Sequence, residues 1–179
     1  RLAAARSRGP VLVLMAHVGA WELAAGALAE HAPPFGALTA NPHNARVDRW
    51  LRSERARRGV AVFDRDREVA AATRFLRRGG TLAVLADHRP RGAAVEASWF
   101  GADVPTTVGP GRMARTARAT ILPVAVERHG GAHRLVTGEA FEPTGDRRRD
   151  AERCNRALEA LIRRQPGGWT WLHARHDAS

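Results

Sequence analysis

Short apolar runs alternate with longer segments of helical period along most of this chain, and few folds accommodate that order. Residues 11–16 and 81–86 are nearly continuous in apolar character, as strands covered on both faces are. Residues 20–31, 44–58, 68–78, 109–118 and 147–164 read instead as helices. The alternation predicts an α/β fold: a three-layer sandwich with a central mixed, largely parallel sheet flanked by helices. Weaker strands are expected at 35–40 and 60–63, and a pair at 121–127 and 134–137 is joined by Gly130-Gly131 in a way that suits a hairpin. Residues 88–106, rich in Gly, Pro and charge, predict a functional loop or short hairpin. In an extended tail, Trp169, Trp171, His173 and Arg175 would share one face.

A length of 179 residues and a hydrophobic content of 44% suit one domain with a real core, spanning residues 1–179. The longest clean apolar run, 11–16, is far short of the ~20 residues a membrane-spanning helix needs. The sequence opens on Arg1 and runs almost at once into a strand-like segment, which suggests that an N-terminal part of a longer protein precedes it and would hold any anchor. One cysteine, Cys154, rules out an internal disulfide; on the apolar stripe of its helix it reads as a small buried hydrophobe. All 29 basic residues are arginine and the net charge is +11. Guanidinium groups grip phosphate and carboxylate at two points, so the excess suits anionic headgroups, acidic carrier proteins or nucleic acid. For nucleic acid, charge is the only support, since no recognised binding motif is present.

His17 ends the first strand, where ligands gather in open α/β sheets, and Glu22 follows five positions later. Within one helix that spacing turns ~500° and leaves the side chains ~140° apart. If Gly19 turns the chain instead, Glu22 enters the first helical turn and can fold back on the imidazole as the partner of a general base. The plainer alternatives are a satisfied strand-end histidine and a carboxylate stabilising a helix N-terminus. Asp87, directly after the 81–86 strand, is either functional or a turn cap, and Asn41-Pro42 is either functional or an ordinary turn pair. Trp50 and the closing tryptophans are either core or contact residues. The arginines at 46, 49, 52, 55, 57 and 58 form either a solvated face or a docking surface for an anionic headgroup or acidic carrier. No metal is expected, because His-Glu-x-x-His arrays and Cys pairs are missing; Gly109-Pro110-Gly111 is too short for a phosphate loop and lacks a following Lys.

Five blocks in order carry a resemblance: residues 12–24 (LVLMAHVGAWELA), 41–59, 74–92, 99–124 and 161–175. Together they resemble the lysophospholipid acyltransferase superfamily, and within it the bacterial late acyltransferases that add lauroyl or myristoyl chains to lipid A precursors. The resemblance implies a glycerolipid acyltransferase-like catalytic domain in which His17 is the general base and Glu22 its partner. Glu at this position is similar to the lipid A branch. It further implies substrate-contacting roles for Asn41, Arg65, Asp87, Thr107, Arg112, His173 and Arg175. Two positions depart from the family pattern: Phe63-Asp64-Arg65-Asp66 replaces an apolar-Arg-Gly-like motif, and His88 stands where Gln follows the acid matched by Asp87. Trp99-Phe100-Gly101 and Thr106-Thr107 match further blocks, and the Glu-Gly-Thr-Arg block of the lysophosphatidate branch is missing.

The activity so implied is transfer of a fatty acyl chain from an acyl carrier protein or coenzyme A thioester to a hydroxyl of a lipid A precursor or related glycolipid. No cofactor beyond the thioester co-substrate is expected, and no nucleic acid. The implied location is the cytoplasmic face of the inner membrane, peripheral or anchored through a preceding segment. Direct transfer is expected, with Arg65 or backbone amides near Gly19 facing the oxyanion, because no Ser or Cys occupies a nucleophile-elbow context. Alternatives are another lipid acceptor, such as an acylated mannoside or an ornithine or glycerol lipid, and an inactive family member.

Overall fold

The computed structural model describes residues 1–40, 42 and 44–172. Six strands form the central sheet in the order β3-β2-β4-β1-β7-β8. They are β1 (Val11–Met15), β2 (Phe35–Thr39), β3 (Val60–Asp64), β4 (Thr81–Leu85), β7 (Thr120–His129) and β8 (Ala132–Thr137). All neighbours pair in parallel except the β7–β8 hairpin, so the expected mixed, largely parallel sheet is present. β1 lies between β4 and β7 and buries all five of its residues, which is why its sequence is apolar without alternation.

Alternate residues of β1 supply two cores. Leu12 and Leu14 join α4 (Val69–Arg77), α5 (Gly109–Ala117) and α6 (Arg147–Ile162) on one face. Val11, Val13 and Met15 join α1 (Leu2–Arg6) and α2 (Trp21–His31) on the other. The layers are therefore helix, sheet, helix. α6 buries the stripe expected of it, Ala151, Cys154, Leu158, Leu161 and Ile162, and Asp146 caps its start by accepting from the Arg149 amide at 2.8 Å. The short α1, within a segment with no helical expectation, places Ala5 under the sheet with no exposure.

The 88–106 segment resolves as the hairpin alternative: β5 (Ala94–Trp99) pairs antiparallel with β6 (Ala102–Thr107) around Phe100-Gly101. Both turn residues have positive φ, 49° and 90°, as a two-residue turn matched to strand twist requires. α6 holds the hairpin down. Buried Asn155 donates to Ser98 O and Thr106 Oγ1 at 2.8 and 2.9 Å, and Glu159 accepts from the Phe100 amide at 2.9 Å.

α3 (Ala45–Arg57) forms within the expected 44–58 helix, capped by Asn44, and Trp50 takes the contact alternative: none of the helix's residues is buried, and Val47 and Trp50 are 43% and 61% exposed. Periodicity reports an apolar stripe without saying what lies opposite it.

The tail departs from expectation. Trp169 makes an antiparallel bridge to Val18, but the Trp171 amide turns back onto Trp169 O at 3.0 Å, so the two indoles meet edge to face instead of sharing a strand face.

One backbone position fixes the approach of β1 to its helix. Gly19 has φ +62°, and a Cβ there would lie 2.4 Å from Val126 O. Gly19→Ala combines left-handed strain with a backbone clash and is expected to cost about 2–3 kcal/mol, read as a lowered urea midpoint with unchanged slope. An unaltered midpoint would contradict this account of the turn.

Candidate active site

The site forms at the carboxyl ends of β1 and β4. Their register pairs Met15 with Leu85, so His17 and Asp87 each stand two residues beyond a matched pair. Side chains 70 residues apart in sequence are thereby brought level.

Asp87 is 1% exposed and uses both oxygens. Oδ1 lies 2.8 Å from His17 Nδ1; Oδ2 accepts from the His17 backbone amide at 2.9 Å and from Trp169 Nε1 at 2.8 Å. Burial opposes ionisation of this carboxyl, but the hydrogen bond and charge of His17, with the donors of Trp169 and the His17 amide, outweigh it and hold Asp87 below the usual carboxylate range. An ionised Asp87 requires the proton on Nδ1, which leaves the Nε2 lone pair as the basic position of the ring. The imidazole is fixed on two further sides, edge to face against Trp21 at 5.1 Å and stacked on His88 at 3.8 Å with 6° between planes. It stays partly open, its side chain 23% exposed.

Glu22 does not follow expectation. Its carboxylate receives Nε and Nη2 of Arg55 at 2.8 and 2.9 Å, a two-point pair joining α2 to α3. The orienting contact at Nδ1 comes instead from Asp87, expected only as a substrate contact. The reason is local geometry: Glu22 lies in the first turn of α2, where the α3 guanidinium meets it. The amide at Gly19, proposed as an oxyanion donor, is already committed to Gly168 O at 2.9 Å.

Beside His88 opens a cavity of about 400 Å³ whose walls include Val69, Val84 and Met113 and whose rim carries Arg65, Arg112 and Thr107. A furrow of about 520 Å³ between α4 and α5 shares Val69, Arg112 and Met113 with it. Arg65, Thr107 and Arg112 therefore line one cavity; Thr107 also accepts from the Gly109 amide at 3.1 Å at the start of α5. Asn41, His173 and Arg175 lie outside the described residues. His88, expected only as a departure, proves to be the platform under the His17 ring. Nothing in the spacing could have announced it.

His17, Asp87 and His88 also bring three possible metal-ligand atoms within 4.8 Å of one another. The Asp87 oxygens there already serve His17 and Trp169, so a cation would have to displace those donors.

A partly open imidazole held by a buried carboxylate, stacked on a histidine that lines a cavity with both apolar and basic walls, is an arrangement suited to base-assisted chemistry. Comparison with known families agrees: residues 2–177 match the family described as bacterial lipid A biosynthesis acyltransferase. The chain belongs to this family. It is thus an enzyme that transfers acyl groups, with an acyl donor and a lipid acceptor as its substrates. Among curated proteins, none matches the chain.

Asp87→Asn keeps the shape but can present an amide N–H to Nδ1, moving the ring proton to Nε2. Acyl transfer is expected to fall about 10²–10⁴-fold, against less than tenfold for Glu22→Gln, and the ranking is read from kcat at saturating donor. Because the folded-state value of Asp87 is depressed, its stabilisation is complete above the ordinary aspartate range and is lost as pH falls through the lowered value. Acid titration of the urea midpoint should show that loss in wild type and a smaller one in Asp87→Asn.

Proposed function

We propose that this enzyme transfers a fatty acyl chain from an acyl carrier protein or coenzyme A thioester to a hydroxyl of a lipid A precursor or related glycolipid. The observation that carries the reading is the His17 Nδ1 contact to buried Asp87, which prepares Nε2 as a base beside the apolar cavity.

His17 Nε2 removes the acceptor hydroxyl proton as the oxygen attacks the thioester carbonyl. Asp87 stabilises the imidazolium so formed. Arg65 and Arg112, on the cavity rim, supply positive charge for the oxyanion or for anionic groups of the acceptor. Collapse expels the thiolate, which regains the proton from His17, so an ester and a free thiol leave. The furrow between α4 and α5 takes the acyl chain.

Transfer is direct. The one thiol, Cys154, is buried in the α6 core and pushed up to about 12, chiefly by burial and then by the charge of Asp150, so it is no nucleophile at neutral pH.

Transfer from labelled acyl carrier protein, and separately from labelled acyl-coenzyme A, to a lipid A precursor tests the reading. His17→Ala is expected to lower the rate by about 10²–10⁴-fold with the fold intact by circular dichroism. Undiminished transfer by this variant would sink the mechanism.

A further inference from the structure

The six large hydrophobic side chains that are most exposed among the described residues lie at one end of the molecule: Leu23, Val47, Trp50, Val69, Trp171 and Leu172. Leu23, Val47 and Val69 sit in the first turns of α2, α3 and α4, which begin beyond the carboxyl ends of strands, and Trp171 follows the residue that bridges Val18. This is the end that carries His17. Exposed hydrophobics scattered singly need no explanation, but their confinement to one end does.

α3 is the most prominent of these elements. Its second half is held to the body, where Arg55 grips Glu22 in the first turn of α2 and Arg58 packs by Gly26. Ten residues separate Ala45 from Arg55, so the first half extends about 15 Å beyond that anchor. Over 44–50 every residue except Asp48 is exposed. Val47 and Trp50, three apart, share one face there. Asp48 is committed to Arg52 at 2.9 Å, and no carboxylate among the described residues pairs with Arg46 or Arg49. An indole and a β-branched side chain flanked by uncompensated guanidinium groups match an interface that is apolar within and anionic at its surface.

We infer that the projecting first half of α3 seats the enzyme on an anionic lipid bilayer, with Trp50 and Val47 entering the headgroup boundary and Arg46 and Arg49 meeting lipid phosphates, so that the His17 end faces the membrane. The inference rests on the lipid-acceptor reading above and adds the surface through which the acceptor is reached. It requires no spanning segment, and among the described residues no helix is long and apolar enough to cross a membrane.

Flotation with phosphatidylglycerol–phosphatidylcholine vesicles, and with phosphatidylcholine vesicles alone, tests it. Wild type is expected to float with the anionic vesicles at low salt. Arg46→Ser with Arg49→Ser should weaken partitioning on the order of 25-fold, and Val47→Ser with Trp50→Ser at least tenfold, by removing surface charge and buried apolar area respectively. Arg149→Ser with Arg156→Ser, an equal charge change on α6, should leave binding within about twofold. Transfer to acceptor dispersed in detergent should be retained by all three variants, which shows that each remains folded.

Flotation of both α3 variants like wild type would overturn the inference, as would equal weakening by the α6 control. Loss of transfer only from acyl carrier protein, with flotation unchanged, would make α3 a carrier dock and equally overturn it. Failure of wild type to transfer in detergent or on vesicles would count against the acyltransferase mechanism, whereas flotation reports the membrane surface independently.

Discussion

The arrangement around His17 depends on the carboxylate of Asp87. It joins three parts of the chain, the ends of β1 and β4 and the closing tail, by accepting from the backbone and ring of His17 and from the indole of Trp169. A carboxylate 1% exposed would be costly without such donors. Here its desolvation is offset by groups that are themselves fixed: the His17 amide by strand register, the indole by the Val18 bridge. The same contacts that make the charge tolerable select the imidazole tautomer. Stability and reactivity therefore share one set of hydrogen bonds.

A second set of close contacts positions the turn that follows. Gln165 Nε2 donates to Val126 O at 2.6 Å, and the Gly19 amide donates to Gly168 O, so β7, the turn after β1 and the segment after α6 are held close together. A side chain at residue 19 would separate them. The tail is thus part of the wall that holds Val18 and, through Thr170, whose hydroxyl donates to His17 O at 3.1 Å, of the wall that holds His17 itself.

The layers, the strands and the strand-end location of His17 were legible in the sequence because each depends on local pattern: continuous apolar runs, helical stripes and punctuating glycines. The partners within the site were not. His17 meets Asp87 because β1 pairs with β4 in one register, a relation that no spacing along the chain encodes. Glu22 was expected as the imidazole's partner because the resemblance implied it, while spacing left the role open; α3 presents Arg55 to it, and helix placement is a tertiary fact. Trp169 was legible as part of an aromatic-basic tail, yet its use as a hydrogen-bond donor to Asp87 depends on the chain turning after one bridged residue. The choice between core and contact for Trp50 was open for the same reason, since period alone does not say what lies opposite a stripe.

The exclusive use of arginine has a structural side beyond the net charge. Arg6 directs its fork to Gly79 O, Thr81 Oγ1 and Pro33 O, tying α1 to the segments entering β2 and β4. Arg164 meets both oxygens of Glu127, whose carboxyl is held below its usual range first by that hydrogen bond. Arg55 likewise meets both oxygens of Glu22. Exposed pairs of this kind add little stability singly, but a planar two-point contact fixes direction as well as distance, which a single ammonium cannot do. The braces consume part of the cationic complement: among the described residues Arg46 and Arg49 have no carboxylate partner, whereas Arg65 on the cavity rim pairs with Asp66 at 3.8 Å.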